Sequence, residues 1–279
     1  ALQFVPEHFT PVFNTDETYR LNDEEIVTWA KIQSDKPFNL TEGHVCRADV
    51  LLNRFDDHVE YIFQLSFHHI AVDYASCEVL FDELLGAYKN LVTQCASDQV
   101  FQHGDDLEHD YFDWSQQQRQ WLTSDASAQT KQFWQSTLTN NVSAGTANTN
   151  TINVDTLELT TDNTRPSVQT YDGEELSFLL NENESSKLRV QAKNLGVTPF
   201  VFCLSIFQLL LYRYSGQTEF FVGTPTSGRL QRDYQRTVGY LVNPVVLRCD
   251  LRGRLSFSEL VARVEQHSKA ALMHQDFPF

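Results

Sequence analysis

Phe67-His68-His69-Ile70-Ala71-Val72-Asp73-Tyr74-Ala75-Ser76 decides how the 279-residue chain is read. Ahead of it, residues 58–67 alternate, placing Val59, Tyr61, Phe63, Leu65 and Phe67 on one face of a strand. Residues 45–52 do the same with Cys46, Ala48, Val50 and Leu52, and the polar turn Asn53 to Asp57 makes the two a hairpin. The second strand delivers the chain directly into His68-His69. Beyond it, Val79, Leu80, Leu84, Tyr88 and Leu91 recur at helical spacing, with Ser76 as the expected cap. Side chains at a strand end can face an open cleft while the sheet holds them rigid. Imidazole can accept a proton from an attacking group near pH 7, and Asp73 can fix the turn by pairing with an arginine or with backbone N–H groups. A strand-end histidine is also a common structural residue. A metal reading of His68, His69 and Asp73 needs further ligands from elsewhere, and adjacent strand residues point to opposite faces.

On the N-terminal side a helix is expected over 22–34. Asn22 caps it, Glu25 completes a capping box, and Ile26, Trp29 and Ala30 form its buried stripe. On the C-terminal side a polar loop (94–108) leads to helices near 111–122 and 125–138. Thr and Asn then supply nine of the fifteen residues from Thr139 to Asn153, a composition that favours turns. The expected organisation is therefore an N-terminal lobe over 1–138, a crossing over 139–165 and a C-terminal lobe over 166–279. The last should hold strands near 174–180, 219–223 and 238–249, and helices near 184–195, 198–214 and 257–273. Thr198 and Pro199 open the second of these helices, which is apolar on nearly all sides and so should be central to its lobe. Ser256 and Glu259 form a capping box for the third.

Charge follows the same division. Residues 1–165 carry 9 Lys and Arg against 26 Asp and Glu, whereas 166–279 carry 12 against 11. A net charge of −16 argues against nucleic-acid binding. The longest apolar run, Phe200 to Leu211, is broken by Ser205 and Gln208 and is too short for a membrane span. Five scattered cysteines, Cys46, Cys77, Cys95, Cys203 and Cys249, read as reduced thiols of a cytoplasmic protein. There is no G-x-S-x-G elbow, phosphate-binding loop or dinucleotide glycine fingerprint. Arg229, Arg232 and Arg236 stand in a polar segment that reads as a solvated loop or a phosphate receiver.

Several segments, in order, resemble one family, the condensation domains of non-ribosomal peptide synthetases. FHHIAVDYAS (67–76) resembles their His-His-x-x-x-Asp-Gly motif, and HDYFDW (109–114) their Tyr-x-x-Trp motif. FFVGTPTSGR (220–229), VGYLVNPVVLR (238–248) and HQDFPF (274–279) resemble three further motifs, and PFNL (37–40) also suits the family. The resemblance implies an α/β fold similar to chloramphenicol acetyltransferase, with two lobes in a V and a tunnel between them. It implies attack of an acceptor amine on a donor acyl thioester, with both substrates on phosphopantetheine arms of donor and acceptor carrier proteins. A neighbouring adenylation domain in the same polypeptide is implied as well, and no cofactor or metal bound by the domain itself. By motif position His69 is the active-site histidine, and His68 and Asp73 support the motif's geometry. Asn243 belongs to the crossover near the tunnel, and Arg248 is the motif arginine.

Two positions depart from the pattern. Tyr74 stands where the family has Gly, which is expected to narrow the tunnel or to remove a positive-φ option, and Pro244 stands where the family has Thr. They keep open a catalytically silent module that docks carriers; a related epimerase or a standalone acyltransferase is a further alternative. The family's opening and closing motifs are not found, so the chain reads as the middle of such a domain, with an incomplete N-terminal lobe and unpaired edges that predict poor stability.

Overall fold

A computed structural model describes residues 12–94, 109–139, 156–170 and 173–278. Residues 95–108 of the polar loop expected over 94–108, and most of the 139–165 crossing, lie outside them. Helices and strands are mixed, as an α/β protein requires. The described chain forms two compact units, residues 1–115 with 229–241, and residues 116–228 with 242–279. These bounds differ from the lobes expected from composition. The cut falls at Ser115, not near 138, and Arg229–Leu241 belongs to the first unit although the chain on either side of it belongs to the second.

In the first unit β1 (Val12–Tyr19), β2 (Cys46–Arg54) and β3 (Val59–Phe67) form a sheet in that order, β1 parallel and β3 antiparallel to β2. The hairpin register pairs Ala48 with Leu65, Val50 with Phe63 and Leu52 with Tyr61. The face buried most deeply is the opposite one, formed by Arg47, Asp49, Leu51 and Asn53. Buried polar groups need partners, and here they have them. Arg47 donates to the Gln33 carbonyl at 2.6 Å and to Asp49 at 3.2 Å, and its guanidinium lies over the Phe38 ring. Asn14 donates to Asp49, and the Asn53 side chain exchanges two hydrogen bonds with the Leu21 backbone.

Helix α1 (Asp23–Ser34) starts at the Asn22–Glu25 capping box as expected, but its Ile26, Trp29 and Ala30 are only half-buried; Gln33 is its buried residue. Helix α2 (Tyr74–Gln94) begins two residues before Ser76. Helix α3 (Tyr111–Leu122) spans the division between the units, and α4 (Asp125–Thr139) follows in the second.

The second unit is built on β4 (Glu219–Thr226) and β5 (Asn243–Asp250), paired antiparallel. Helices α5 (Glu182–Asn194), α6 (Pro199–Ser215) and α7 (Phe257–Met273) start at the caps Asn181, Thr198 and Ser256. The core joins Val201, Leu204 and Leu211 of α6 to Phe220, Val245, Leu247 and Cys249 of the strands and Leu260, Val261 and Val264 of α7. Two expectations fail here. Residues 174–180 are not a strand, because no described strand lies beside them to complete a ladder, and Phe178 and Leu179 are exposed. Helix α6 is not surrounded either. Val201, Leu204, Ser205, Gln208 and Leu211 are buried, while Phe200, Phe207, Leu210 and Tyr214 remain exposed. The four described cysteines, Cys46, Cys77, Cys203 and Cys249, are free thiols. No single described helix is long and apolar enough to cross a membrane.

Candidate active site

The turn from β3 into α2 is held by its own backbone. His68 N–H extends the ladder to the Val45 carbonyl at 2.8 Å, and Ala71 N–H closes a turn on the His68 carbonyl at 3.0 Å. His69 Nδ1 lies 2.7 Å from the Val72 carbonyl oxygen. A carbonyl only accepts, so Nδ1 carries a proton, and in the neutral tautomer of the ring the lone pair is on Nε2. His68 is fixed in the opposite sense, since its Nδ1 accepts from Ile70 N–H at 3.1 Å.

Asp73, only 4% exposed, caps α2 by accepting from the Ser76 N–H at 2.9 Å and the Ser76 hydroxyl at 2.8 Å. Ser76, expected to be the cap, is instead the residue capped. Arg229 closes on the same carboxylate with two parallel bonds, Nη1 to Oδ2 at 2.7 Å and Nη2 to Oδ1 at 2.8 Å. Leu241 N–H adds another at 3.0 Å. Burial opposes the charge on Asp73, but the guanidinium and the Ser76 and Leu241 donors outweigh it and hold the carboxyl below its ordinary value. Ser76 ties the turn to residues 229–241 a second time: its Oγ accepts from Gly239 N–H at 3.0 Å and from Arg229 Nη2 at 2.8 Å, and its single proton is shared between Asp73 and the Gly239 carbonyl, each 2.8 Å away.

Beside this pair lies a cavity of about 420 Å³ lined by His69, Ile70, Tyr111 and Tyr240. The Tyr240 ring meets His69 edge to face, with centroids 5.2 Å apart. Tyr111 stacks on Trp114, and its hydroxyl is 3.4 Å from the Tyr240 carbonyl. Tyr111 also explains Gly239: a Cβ there would fall 2.8 Å from Tyr111 Cγ, so only glycine admits the ring.

The other positions singled out in the sequence have partners of their own. Tyr74 opens α2 with its side chain 80% exposed and is not among the cavity's lining residues. Its φ is not positive, so the family's glycine is not needed there for backbone reasons. Arg248 pairs with Glu219 at 2.8 Å in the second unit, and the arginine on Asp73 is Arg229, read from sequence as part of a solvated or phosphate-binding segment. Asn243 donates to the Gln275 and Phe277 carbonyls at 2.8 Å each, holding the segment after α7. That segment is also held by Trp134, whose indole donates to the His274 carbonyl, and by Phe133, which stacks on the His274 ring. Pro244 faces Pro225 across the β4–β5 pair, and the Thr226 hydroxyl bonds the neighbouring Asn243 carbonyl. Among the described residues no group of three or more His, Cys, Asp or Glu is placed to hold a metal ion. Tyr111, Gly239 and Tyr240 have no role legible in the sequence, and Arg229 and Ser76 carry other roles there, although all five lie in the motif segments 67–76, 109–114, 220–229 and 238–248.

The condensation-domain family model matches residues 8–279. A linear gramicidin synthase of Brevibacillus parabrevis is 33% identical over 264 residues, 95% of this chain and 5% of that protein. Malpinin synthetase of Mortierella alpina is 29% identical over 259 residues, 92% of this chain and 3% of that protein. The chain thus spans a few per cent of the length of these relatives. Among solved structures, a holo four-domain nonribosomal peptide synthetase bound to AMP and glycine superposes with a TM-score of 0.77 at 22% identity, over 98% of this chain and 19% of that one. The X-domain from teicoplanin biosynthesis gives 0.76 at 20% identity, over 99% of this chain and 56% of that one. At those identities the structures bear on the fold, which is the chloramphenicol acetyltransferase-like one. With the family match running over nearly its whole length, the chain belongs to the condensation-domain family of nonribosomal peptide synthetases.

Proposed function

We propose that this chain carries the reacting centre of an amide-forming acyl transfer, with His69 as the catalytic histidine. The observation that supports it is the His69 ring itself. Val72 takes Nδ1, and the ring lines a 420 Å³ cavity with only Nε2 left for a ligand. In the reaction an acceptor amine attacks the carbonyl carbon of a donor thioester. The C–N bond forms, the C–S bond breaks, and the amine's proton passes through Nε2 to the departing thiolate. An α-amine with a pKa of about 7.7 is partly neutral already, so holding the amine and steadying the tetrahedral intermediate suit this geometry as well as full base catalysis does. Much of the acceleration comes from aligning two tethered reactants out of water.

Asp73 and Arg229 touch no reactant in this scheme. They fix the turn that presents His69 and are positioning residues. Substrates arrive on phosphopantetheine arms of donor and acceptor carrier proteins, with an adenylation domain in the same polypeptide. Tyr74 favours a silent docking module in the sequence; against that reading, it is not among the residues lining the cavity beside His69 and its backbone is helical. In the polypeptide that contains this chain, with both carriers loaded, His69→Ala is expected to abolish the amide product while leaving carrier loading intact. Unchanged product would refute the assignment.

A further inference from the structure

We infer that Tyr111 and Tyr240 form a selectivity wall, and that the cavity beside His69 takes an uncharged apolar or aromatic side chain of the reacting acyl or aminoacyl group. The inference rests on the catalytic reading above and deepens it.

Three rings and one aliphatic side chain line the cavity, and among the described residues no carboxylate, ammonium or guanidinium does. Asp73, the carboxylate whose charge is felt at Tyr111, is committed to Arg229 and the Ser76 and Leu241 donors. The depression is open to solvent on one side, so a charged substrate side chain laid against it would give up part of its water and find no carboxylate, ammonium or guanidinium in return, whereas an apolar one gives up none. Size agrees. A cavity of about 150 Å³ suffices for a benzene ring, and this one is about 420 Å³. The wall is also built to stay in place. Tyr111 is pinned between Trp114 and Gly239 with its hydroxyl toward the Tyr240 carbonyl, and the flanking Gly239 and Leu241 backbones are bonded to Ser76 and Asp73. The two tyrosine rings offer an incoming side chain aromatic surface that discriminates by shape and polarity.

The side chain can belong to the donor or to the acceptor, and two probe sets separate them. Pantetheine amides of N-acetyl amino acids have a blocked amine and mimic donors; the free-amine amides mimic acceptors. Each set comprises phenylalanyl, leucyl, aspartyl and lysyl probes, titrated calorimetrically into the full chain. In one arm the phenylalanyl and leucyl probes are expected to bind at least about tenfold tighter than the charged ones, and that arm names the source. Tyr111→Ala and Tyr240→Ala should shrink the ratio to within about threefold, and Tyr240→Phe should keep it, because the ring carries the effect. Equal binding in both arms, or a ratio untouched by either alanine, overturns the proposal. If an alanine variant loses its folded circular dichroism, leucine at the same position decides, and an undiminished preference again overturns it. Because these are binding measurements, they stand apart from turnover. Loss of product in His69→Ala without side-chain preference refutes the wall alone. Preference with turnover intact in His69→Ala refutes the catalytic reading alone.

Discussion

Replacing Arg229 by methionine removes the charge on the buried carboxylate's partner while keeping much of the side chain's bulk. Asp73 would keep three neutral donors, the Ser76 N–H, the Ser76 hydroxyl and the Leu241 N–H, and lose its bidentate partner. Breaking a buried ion pair from one side costs about 3–5 kcal/mol, because the remaining charge stays out of water. The expected loss at pH 7 lies in that range. Its pH dependence is the sharper test. In the native chain the Asp73 carboxyl is held below its ordinary value, so its contribution is present above about pH 4 and is lost as pH falls through the folded value. In the variant, burial acts with the guanidinium gone, the carboxyl moves upward, and protonation relieves the strain as pH falls. The gap between the two proteins should therefore narrow by at least about 1 kcal/mol between pH 7 and pH 4.5. Urea unfolding followed by circular dichroism at both pH values measures it. A gap below about 1 kcal/mol at pH 7, the size of one ordinary hydrogen bond, or an equal gap at both pH values would refute the reasoning.

Gly239→Ala drives a methyl group into the Tyr111 ring and is expected to cost about 1–3 kcal/mol in the same unfolding assay; adding Tyr111→Ala should recover part of it, and strict additivity would sink the account. Asn243→Ala removes both bonds to the segment after α7 and should cost about 1–2 kcal/mol, with faster amide exchange around Gln275–Phe277 as its local signature. Burial pushes the His267 imidazole below its ordinary value, outweighing the bond to the Arg248 carbonyl and the nearby Asp250, with Arg248 and Arg263 acting in the same direction as burial. A base with a lowered folded pKa destabilises as pH falls through its unfolded value of about 6.5. His267→Gln should flatten the stability profile between pH 7 and pH 5, and an unchanged slope would contradict this.

What the sequence revealed was local. Asn22 with Glu25, Thr198 with Pro199, and Ser256 with Glu259 mark helix starts because each cap is closed within three residues. The strand running into His68-His69 was equally plain, since alternation needs no distant information. What was hidden needed a partner far along the chain. Arg229 lies 156 residues from Asp73, among other arginines in a polar stretch, and nothing local separates it from Arg248. β1 escaped notice because its Thr15-Asp16-Glu17 lacks apolar alternation; it pairs with β2 through its backbone. Residues 174–180 show the reverse failure, having a strand-like pattern with no described neighbour to complete it. The polar face of β2 is buried because Gln33, Asn14 and Leu21 satisfy it, a set of contacts that a hydrophobicity pattern does not contain.

The detour by which Arg229–Leu241 joins the first unit has a temporal consequence. A ribosome adding about 5–20 residues per second delivers the arginine roughly 8–30 s after the aspartate. The nascent first unit must wait that long, its carboxylate still in water. The loop around His69 then acquires its final shape only after residues 229–241 have left the exit tunnel, so the histidine is assembled late, by sequence synthesised well after it.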